Sequence, residues 1–411
     1  MLVAALGAAA SSAAAAEPMR AADFVDSVGV NVHITYYDTP YKDLDRVVEA
    51  LRYLGVRHVR DAGFKARGQE VERYVRLAEE AGVAFDIVLW PNAAFAQSFA
   101  ALRDFHRSHP GALAAIEGPN EINNFKVAFE GKAGKEAGVA FQAHLHRLVK
   151  DDPAFAGIAV YNFTGPIVDA PADFANFHTY AKRGAQPRKA MVDDLNKIRK
   201  AAPDRPVVLT ETGYPTLEGH PDGVDAATQA VFILNVLFDA ARLGVARTYL
   251  YELFDERDDW KAPKGNNHYG LFDIAGTPKR SAGAVRNLLA LFGDEGATAT
   301  SFVPEVPPYT VSGLPPDGAS LLFARSDGAY LLALWREPPI WSQAEHSALP
   351  VEAARVTVSF AGRRADARIF DPASNGDPID TQAGVSEVPI AIADRPVILE
   401  LVPVADNRQA E

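Results

Sequence analysis

The sequence predicts an α/β fold, a (β/α)8 TIM barrel, followed by a C-terminal all-β sandwich domain. Between about residues 27 and 295, eight short β-rich runs alternate with longer stretches of helical periodicity, the pattern of βα units around a parallel sheet. No GxGxxG motif follows the first run, which disfavours an open dinucleotide-binding sheet. After Gly296, Pro-rich turns separate short alternating runs. We therefore predict the barrel over residues 21–295 and the sandwich over residues 296–411.

Each predicted barrel strand is a short run rich in β-branched and aromatic residues. The eight runs are Val28–His33, Arg57–Asp61, Ala84–Trp90, Leu113–Glu121, Ile158–Phe163, Phe174–Tyr180, Val207–Glu211 and Arg247–Leu253. Apolar residues at three- and four-residue spacing predict helices over segments that include Leu44–Leu54, Gln69–Ala81 and Gln229–Leu243. Sandwich strands are predicted at Ser320–Arg325, Tyr330–Trp335, Ala354–Phe360 and Val397–Val402.

The charge balance and the missing residue types exclude several functions. Of the 411 residues, 53 are Asp or Glu and 41 are Lys or Arg, which gives a formal net charge of −12. Nucleic acid is therefore not an expected partner, because phosphate binding needs clustered Lys and Arg. The chain has no cysteine, which excludes disulfides, thiol nucleophiles and Cys-ligated zinc. Composition does not predict an oligomeric state.

The first 20 residues are predicted to include a signal peptide. Residues 1–16 form an apolar, small-residue stretch with an A-x-A-like cleavage context before Glu17. No Lys or Arg precedes Arg20, so the segment resembles a truncated signal that lacks its charged start. The alternative is a low-complexity Ala-rich tail. The signal predicts a secreted or periplasmic protein, and no other segment is apolar over a membrane-spanning length.

Two glutamates close predicted barrel strands. The fourth strand runs into Asn120 and Glu121, and the seventh runs into Glu211. Active sites of such barrels lie at the C-terminal ends of the strands, and a carboxylate pair there fits the acid and the nucleophile of glycoside hydrolysis. The alternative is that each glutamate caps a helix or pairs with an Arg.

The other predicted strand ends favour a sugar-binding site. Sugars need aromatic faces for their C–H surfaces and fixed polar groups for their hydroxyls. The predicted strand ends supply both kinds of side chain: His33, Arg60, Asp61, Trp90, His178, Tyr180, Tyr251 and Glu252.

Several motifs together resemble the retaining glycoside hydrolases of clan A. They are GPNE at 118–121, TETGY at 210–214, His-x-Tyr at 178–180 and HYGLFDIAGTPKRSAGAVRNLL at 268–289. Within the clan, the chain most resembles glycoside hydrolase family 39 and its bacterial exopolysaccharide-cleaving relatives. The resemblance implies cleavage of a β-linked poly- or oligosaccharide by double displacement through a covalent glycosyl-enzyme. A transglycosylase with the same two glutamates and a non-catalytic carbohydrate-binding barrel are the alternatives.

The resemblance also implies roles for individual residues. Glu121 is the expected general acid/base, with a raised pKa, and Glu211 the expected nucleophile. Arg60 is expected beside Glu211, where its charge keeps the carboxylate ionised. Asn120 is expected to hydrogen-bond the sugar 2-hydroxyl, and Tyr180 to orient the nucleophile. His33 and His178 are expected to position substrate or neighbouring side chains. The alternative is that these two are ordinary packed histidines.

The chain departs from the clan at the eighth strand. The clan often has a Trp sugar platform there, whereas this chain has Tyr251, so either Tyr251 or Trp260 is expected to stack on the sugar. Glu252 is expected either to bind sugar or to pair with Arg60 or Lys261. Glu117, inside the fourth strand, is expected in a buried structural ion pair.

No cofactor or metal is predicted. His144 and His146 lie two apart in a helical stretch, so they face different ways and do not form a joint ligand pair. The acidic segment at 255–259 lacks EF-hand spacing.

Overall fold

A parallel barrel forms the first part of the molecule. The computed structural model describes residues 17–65, 68–217, 219–257, 265–360 and 363–404. All eight predicted strands are present: β1 Val28–Asn31, β2 His58–Asp61, β3 Ala84–Val88, β4 Leu113–Glu117, β5 Ala159–Tyr161, β6 Ala175–His178, β7 Val207–Thr212 and β8 Val245–Leu250. These parallel strands are ordered β5-β4-β3-β2-β1-β8-β7-β6 in the sheet, and a bridge between Tyr161 and Phe174 nearly closes the barrel.

Helices surround the barrel, except after β5. Residues 162–174, all described, contain no helix. Helix α2, Leu44–Leu54, has the bounds that the sequence predicted. The Asp43 side chain accepts from the Arg46 amide at its start, and Gly55 takes a left-handed φ of 76° at its end. The α-helices are α1 Ala21–Asp26, α2 Leu44–Leu54, α3 Gly68–Ala81, α4 Phe95–Ser108, α5 Gly134–Asp151, α6 Pro187–Ala201, α7 Ala226–Arg242 and α8 Arg280–Leu291. No described helix has both the length and the hydropathy needed to cross a membrane.

Six barrel strands end two to four residues earlier than predicted. In β4, the strand stops at Glu117 because Gly118 and Pro119 follow, and proline has no N–H for the ladder. Asn120 and Glu121 therefore lie in the loop beyond the strand. The six strands are β1, β3, β4, β5, β6 and β8.

The C-terminal part is an antiparallel sandwich, as predicted. Its strands are β9 Tyr309–Ser312, β10 Gly318–Ala324, β11 Tyr330–Arg336, β12 Ala354–Phe360, β13 Ala365–Phe370, β14 Pro378–Val385, β15 Glu387–Ile392 and β16 Val397–Pro403. The larger sheet has the spatial order β10-β11-β16-β13-β14, and the short strand Met19–Arg20 pairs in parallel with β10 at its edge. The smaller sheet has the order β9-β12-β15. Val356, Val358 and Phe360 of β12 alternate inward and form a core with residues of the larger sheet.

The N-terminal prediction is only partly covered. Residues 1–16, which carry the predicted signal peptide, lie outside the described residues, and the signal remains a prediction. Met19 and Arg20 pair with Phe323 and Ala324 of β10.

Barrel and sandwich share an aromatic core. The Phe24 and Phe238 rings stack at 5.6 Å, and the Phe238 ring lies 5.5 Å from Trp335 of the sandwich. Phe292 of the barrel end contacts Phe323 of β10 at 4.9 Å. Aromatic side chains bury large areas, so this contact fixes the sandwich against the barrel.

Two buried carboxylates at this junction share one cation. Arg188 of α6 donates from Nε to Asp239 at 3.0 Å, and its Nη2 lies 3.1 Å from Glu337. The Trp335 indole also donates to Asp239, at 3.2 Å. Burial, followed by the proximity of Asp239, raises the pKa of Glu337 to about 9.

This arrangement predicts a pH-dependent junction. An unfolded glutamate loses its proton near its ordinary pKa of 4.5, whereas folded Glu337 keeps its proton up to about 9. The folded state therefore binds more protons between these values, and stability should fall as the pH rises through that window. We expect the Glu337→Gln variant to lose less stability than the wild type between pH 6 and 9.5, measured by urea unfolding. Equal losses in the two proteins would contradict the assignment.

Candidate active site

Glu121 and Glu211 meet at the C-terminal mouth of the barrel. One oxygen of each carboxylate and a ring nitrogen of His178 all lie within 4.8 Å of one another. The side chain of Glu121 is 25% exposed and that of Glu211 is 10% exposed. One carboxylate from the loop after β4 and one from β7 thus face the same small volume, although 90 positions separate them in the sequence.

Arg60 contacts Glu211, as predicted. Its Nη1 donates to Glu211 Oε1 at 2.7 Å and to Asn31 Oδ1 at 2.9 Å. The guanidinium is buried, so the attraction to Glu211 is only weakly screened by solvent. Tyr180 donates from its hydroxyl to the other oxygen, Glu211 Oε2, at 2.9 Å. Both oxygens of the Glu211 carboxylate thus accept a hydrogen bond.

The rest of Arg60 is held by a structural ion pair. Its Nε and Nη2 both donate to Glu117 at 2.8 Å, which is the buried pair predicted for that residue. Asp86 Oδ2 lies 4.0 Å from Arg60 Nε, and both Asp86 oxygens are buried without a hydrogen-bond partner among the described residues. Burial raises the pKa of Asp86 well above its usual range, which favours the neutral acid.

Glu121 is held in an uncommon backbone conformation. Its φ of 41° lies in the left-handed region, which costs non-glycine residues about 1–2 kcal/mol. Its amide donates to Thr164 Oγ1 at 2.9 Å, and the Ile122 amide donates to the Thr164 carbonyl at 3.1 Å. The loop after β5 thus fixes the angle at which Glu121 enters the mouth.

The raised pKa expected for Glu121 is wrong for this structure. Glu121 Oε1 lies 2.9 Å from His178 Nδ1, and Oε2 accepts from Asn124 Nδ2 at 2.7 Å. With His178 Nδ1 as the donor, this hydrogen bond is the largest cause that lowers the pKa of Glu121, and it outweighs partial burial. The sequence did not reveal this partner because the two residues lie 57 positions apart.

The side-chain oxygen of Asn120 accepts two hydrogen bonds. Its Oδ1 accepts from Arg60 Nη2 at 2.8 Å and from the Thr164 hydroxyl at 3.3 Å. Among the described residues, no hydrogen bond occupies its NH2 group. Asn120 therefore has a donor available beside Glu121.

His33 and Glu252 form a second group at the mouth. His33 Nε2 lies 3.3 Å from Glu252 Oε2 and 3.7 Å from Glu256 Oε1, and Tyr41 donates to Glu252 Oε2 at 3.0 Å. Burial lowers the pKa of His33 to about 4, so the imidazole is neutral. Burial likewise raises the pKa of Glu252 well above its usual range.

The pairing predicted between Glu252 and Arg60 is wrong. Glu252 is fully buried and contacts Tyr41 and His33. The guanidinium of Arg60 is instead occupied by residues of β1, β7, β4 and the loop after β4. The other predicted partner, Lys261, lies outside the described residues, as does Trp260. The roles of Glu252 and Trp260 in sugar binding remain predictions.

Aromatic rings line the mouth. Tyr251 meets Tyr180 at 6.4 Å, Tyr269 at 5.6 Å and His33 at 5.7 Å, all edge to face, and the Tyr251–Glu252 peptide bond is cis. Trp90 makes no ring contact with these residues in the described part of the chain, and it contacts Phe125, whose side chain is exposed, at 5.9 Å. Tyr251 thus connects the Glu211 side of the mouth with the group around His33, whereas Trp90 packs with Phe125.

Several residues of the site were not singled out from the sequence. Their residue types alone did not predict a role in the site, because hydroxyl and amide side chains occur at many strand ends. Three of them lie in segments that the sequence analysis named: Thr210 in the TETGY motif, Tyr269 in the HYG motif and Glu256 in the acidic segment after β8. The set is Tyr41, Asn124, Thr164, Asn176, Thr210, Glu256 and Tyr269.

A cavity of about 390 Å3 opens beside Glu121. Its lining combines the loop after β5 with residues of β6 and α6, and it includes Glu121 and His178. It thus lies where a helix following β5 would pack. A space of this size is within the range of small-molecule sites.

Two groups of described residues could hold a metal ion. Each offers three ligand atoms within 4.8 Å of one another: Glu121, His178 and Glu211 in one, and His33, Glu252 and Glu256 in the other. The first group is the carboxylate pair itself, whose oxygens already accept from Arg60, Tyr180 and Asn124.

Comparison with known proteins supports the fold. No protein-family model and no curated protein matches the chain. Similar solved structures include a family 39 glycoside hydrolase from Bacteroides cellulosilyticus WH2, with a TM-score of 0.62, 15% identity, and coverage of 95% of this chain and 83% of that one. The family 39 enzyme from Xanthomonas axonopodis pv. citri has a TM-score of 0.61 at 16% identity, over 95% and 96% of the two chains.

A third similar structure is a glucosidase from Croceicoccus marinus, with a TM-score of 0.53, 14% identity, and coverage of 87% of this chain and 92% of that one. The structural neighbours thus include family 39 enzymes, as the sequence resemblance suggested. At 14–16% identity, the likeness shows a shared fold.

Proposed function

We propose that the protein is a retaining glycoside hydrolase that cleaves a β-linked poly- or oligosaccharide. The observation that carries the proposal is the approach of one Glu121 oxygen to within 4.8 Å of one Glu211 oxygen. Retaining enzymes hold their carboxyl groups about 5–5.5 Å apart, whereas inverting enzymes need about 6.5–9.5 Å to admit a water. The glycoside hydrolases among the similar folds support the same class by analogy.

The surroundings of the two glutamates suit different roles. Glu211 accepts from Arg60 and Tyr180, which favour the charge that a nucleophile needs. Glu121 is more exposed and contacts His178, which suits a group that exchanges protons with substrate and water. The NH2 group of Asn120 is a suitable donor to a sugar hydroxyl beside the reacting carbon.

The reaction then takes two steps. A carboxylate oxygen of Glu211 attacks the anomeric carbon, the bond to the leaving oxygen breaks, and Glu121 gives its proton to that oxygen. In the second step, water attacks the same carbon, its proton goes to Glu121, and the bond to Glu211 breaks. Glu121 ends protonated and Glu211 ends ionised, as both began. Transfer to a sugar hydroxyl in place of water would make the enzyme a transglycosylase.

The proposed substrate lies outside the cytoplasm, since the sequence predicts an exported protein. The test incubates the purified protein with β-glucans, xylans, mannans and bacterial exopolysaccharides and measures product size by chromatography and mass spectrometry. The Glu121→Gln/Glu211→Gln double variant is the control. We expect shortened products from at least one glycan with the wild type alone, and products longer than the substrate would assign transglycosylation. Binding without cleavage, equal in both proteins, would favour the non-catalytic carbohydrate-binding alternative.

A further inference from the structure

We infer that Thr210 and Asn176 are positioning residues that fix the tautomer of His178, so that His178 and Glu121 share the proton delivered to the leaving group. This inference rests on the proposed function. Thr210 immediately precedes Glu211 on β7, and Asn176 lies two residues before His178 on β6. Both are buried, and neither is within hydrogen-bond reach of the Glu121 or Glu211 carboxylate.

A chain of hydrogen bonds sets the direction of each donor. Asn176 donates from Nδ2 to the carbonyl of Asn162 at 3.0 Å, which leaves its Oδ1 as an acceptor. The Thr210 hydroxyl donates to that Oδ1 at 2.8 Å. A hydroxyl carries a single proton, so Thr210 Oγ1 can only accept from its other neighbour.

That neighbour is His178. Its Nε2 lies 3.1 Å from Thr210 Oγ1 and must therefore carry a proton. A neutral imidazole with a proton on Nε2 has a lone pair on Nδ1. The chain from Asn162 through Asn176 and Thr210 thus selects one of the two neutral tautomers.

The lone pair on Nδ1 points at the candidate acid. Nδ1 lies 2.9 Å from Glu121 Oε1 and 3.4 Å from Glu211 Oε2. The charged or titratable groups around it are these two glutamates and, through Glu211, Arg60 and Tyr180. A hydrogen bond between Glu121 and Nδ1 then needs one proton, held either by the carboxyl group or by an imidazolium.

Both forms keep that proton next to the leaving oxygen. When the carboxyl group holds it, Glu121 is the acid, and when the imidazolium holds it, the proton can return across the 2.9 Å contact. In the other neutral tautomer, Nδ1–H would donate to an ionised Glu121 and no transferable proton would be present. The role of Thr210 is to disfavour that tautomer.

The Thr210→Val variant removes the acceptor while nearly conserving shape. Without it, the buried Nε2–H has no acceptor, and the Nδ1–H tautomer becomes favoured because Glu121 accepts from it. Thr210→Ser keeps the hydroxyl and should behave as the wild type. The matched packing control is Thr248→Val, which alters a buried β8 threonine with no side-chain hydrogen bond to the described residues.

The tautomer can be measured without any substrate. In full-length protein labelled with 15N-histidine, long-range proton–nitrogen NMR spectra distinguish Nε2–H from Nδ1–H, and the His178→Asn spectrum assigns the resonance. We expect His178 as Nε2–H or imidazolium in the wild type, Thr210→Ser and Thr248→Val, and as Nδ1–H in Thr210→Val. A neutral Nδ1–H form in the wild type, or an unchanged spectrum in Thr210→Val, would overturn the inference. This outcome is independent of whether the protein cleaves a glycan.

Kinetics then separate positioning from packing. General acid catalysis contributes about 10²–10⁴-fold, and a leaving group that departs without a proton does not need it. We expect Thr210→Val to lower kcat/KM roughly 10- to 100-fold on an oligosaccharide and much less on an activated aryl glycoside, with the basic limb of the pH profile moved to lower pH. Equal losses on both substrates would show a packing role and overturn the inference. Absence of cleavage by the wild type would instead refute the proposed function.

Discussion

Replacement of Glu211 by Gln is expected to lower kcat/KM on the natural glycan by on the order of 10⁴-fold or more, the size of effect seen when a catalytic nucleophile is removed. An amide oxygen is a poor nucleophile, so the covalent intermediate would not form. The fold should be retained because the amide oxygen of the Glu211→Gln variant can still accept from Arg60 or Tyr180. Steady-state kinetics and a thermal melt measure both properties.

Glu337→Gln is the matched control for this variant. It changes the same residue type at a position in the junction with the sandwich where the side chain is 5% exposed. Its turnover should stay near that of the wild type. Turnover of Glu211→Gln within a few-fold of the wild type would remove Glu211 from the proposed mechanism.

Replacement of Arg60 by Met is expected to lower the free energy of unfolding by about 3–5 kcal/mol, the cost of leaving a buried ion-pair partner uncompensated. Glu117 is fully buried and would lose both of its hydrogen bonds to the guanidinium. Glu211 would lose its hydrogen-bonded contact with the guanidinium. Urea unfolding at pH 7 measures the change.

Arg46→Met provides the control for Arg60→Met. Arg46 is partly exposed and lies 3.8 Å from Asp43 at the start of α2, where an ion pair contributes about 0–1 kcal/mol. We expect a loss within that range. A loss below about 1 kcal/mol for Arg60→Met as well would mean that Glu117 and Glu211 do not depend on the guanidinium.

The sequence predicted those parts of the molecule that local pattern determines. The bounds of α2 follow from its Asp43 and Gly55 caps, and the inward-facing residues of β12 follow from alternation along the strand. The contact of Arg60 with Glu211 was expected from the resemblance to clan A. Glu117 could be assigned to a buried pair because it lies inside its strand.

Features that depend on loops could not be predicted in this way. The absence of a helix after β5 leaves the loop that holds Glu121 through Thr164, and no periodicity indicates it. The lowered pKa of Glu121 depends on the approach of His178 across the mouth, which loop conformation determines. The burial of Glu252 could not be predicted either, because glutamate is usually a surface residue. Its position behind Tyr41 and His33 depends on the packing of three separate segments.

The stereochemistry of the first product tests the central claim most directly. The claim is that Glu121 and Glu211 act as acid/base and nucleophile of a double displacement, which inverts the anomeric carbon twice. Proton NMR of the reducing end, recorded before mutarotation during cleavage of the best β-linked glycan, reads the configuration. We expect the β-anomer to form first. Initial formation of the α-anomer would contradict the claim, because a single displacement by water would then be the reaction.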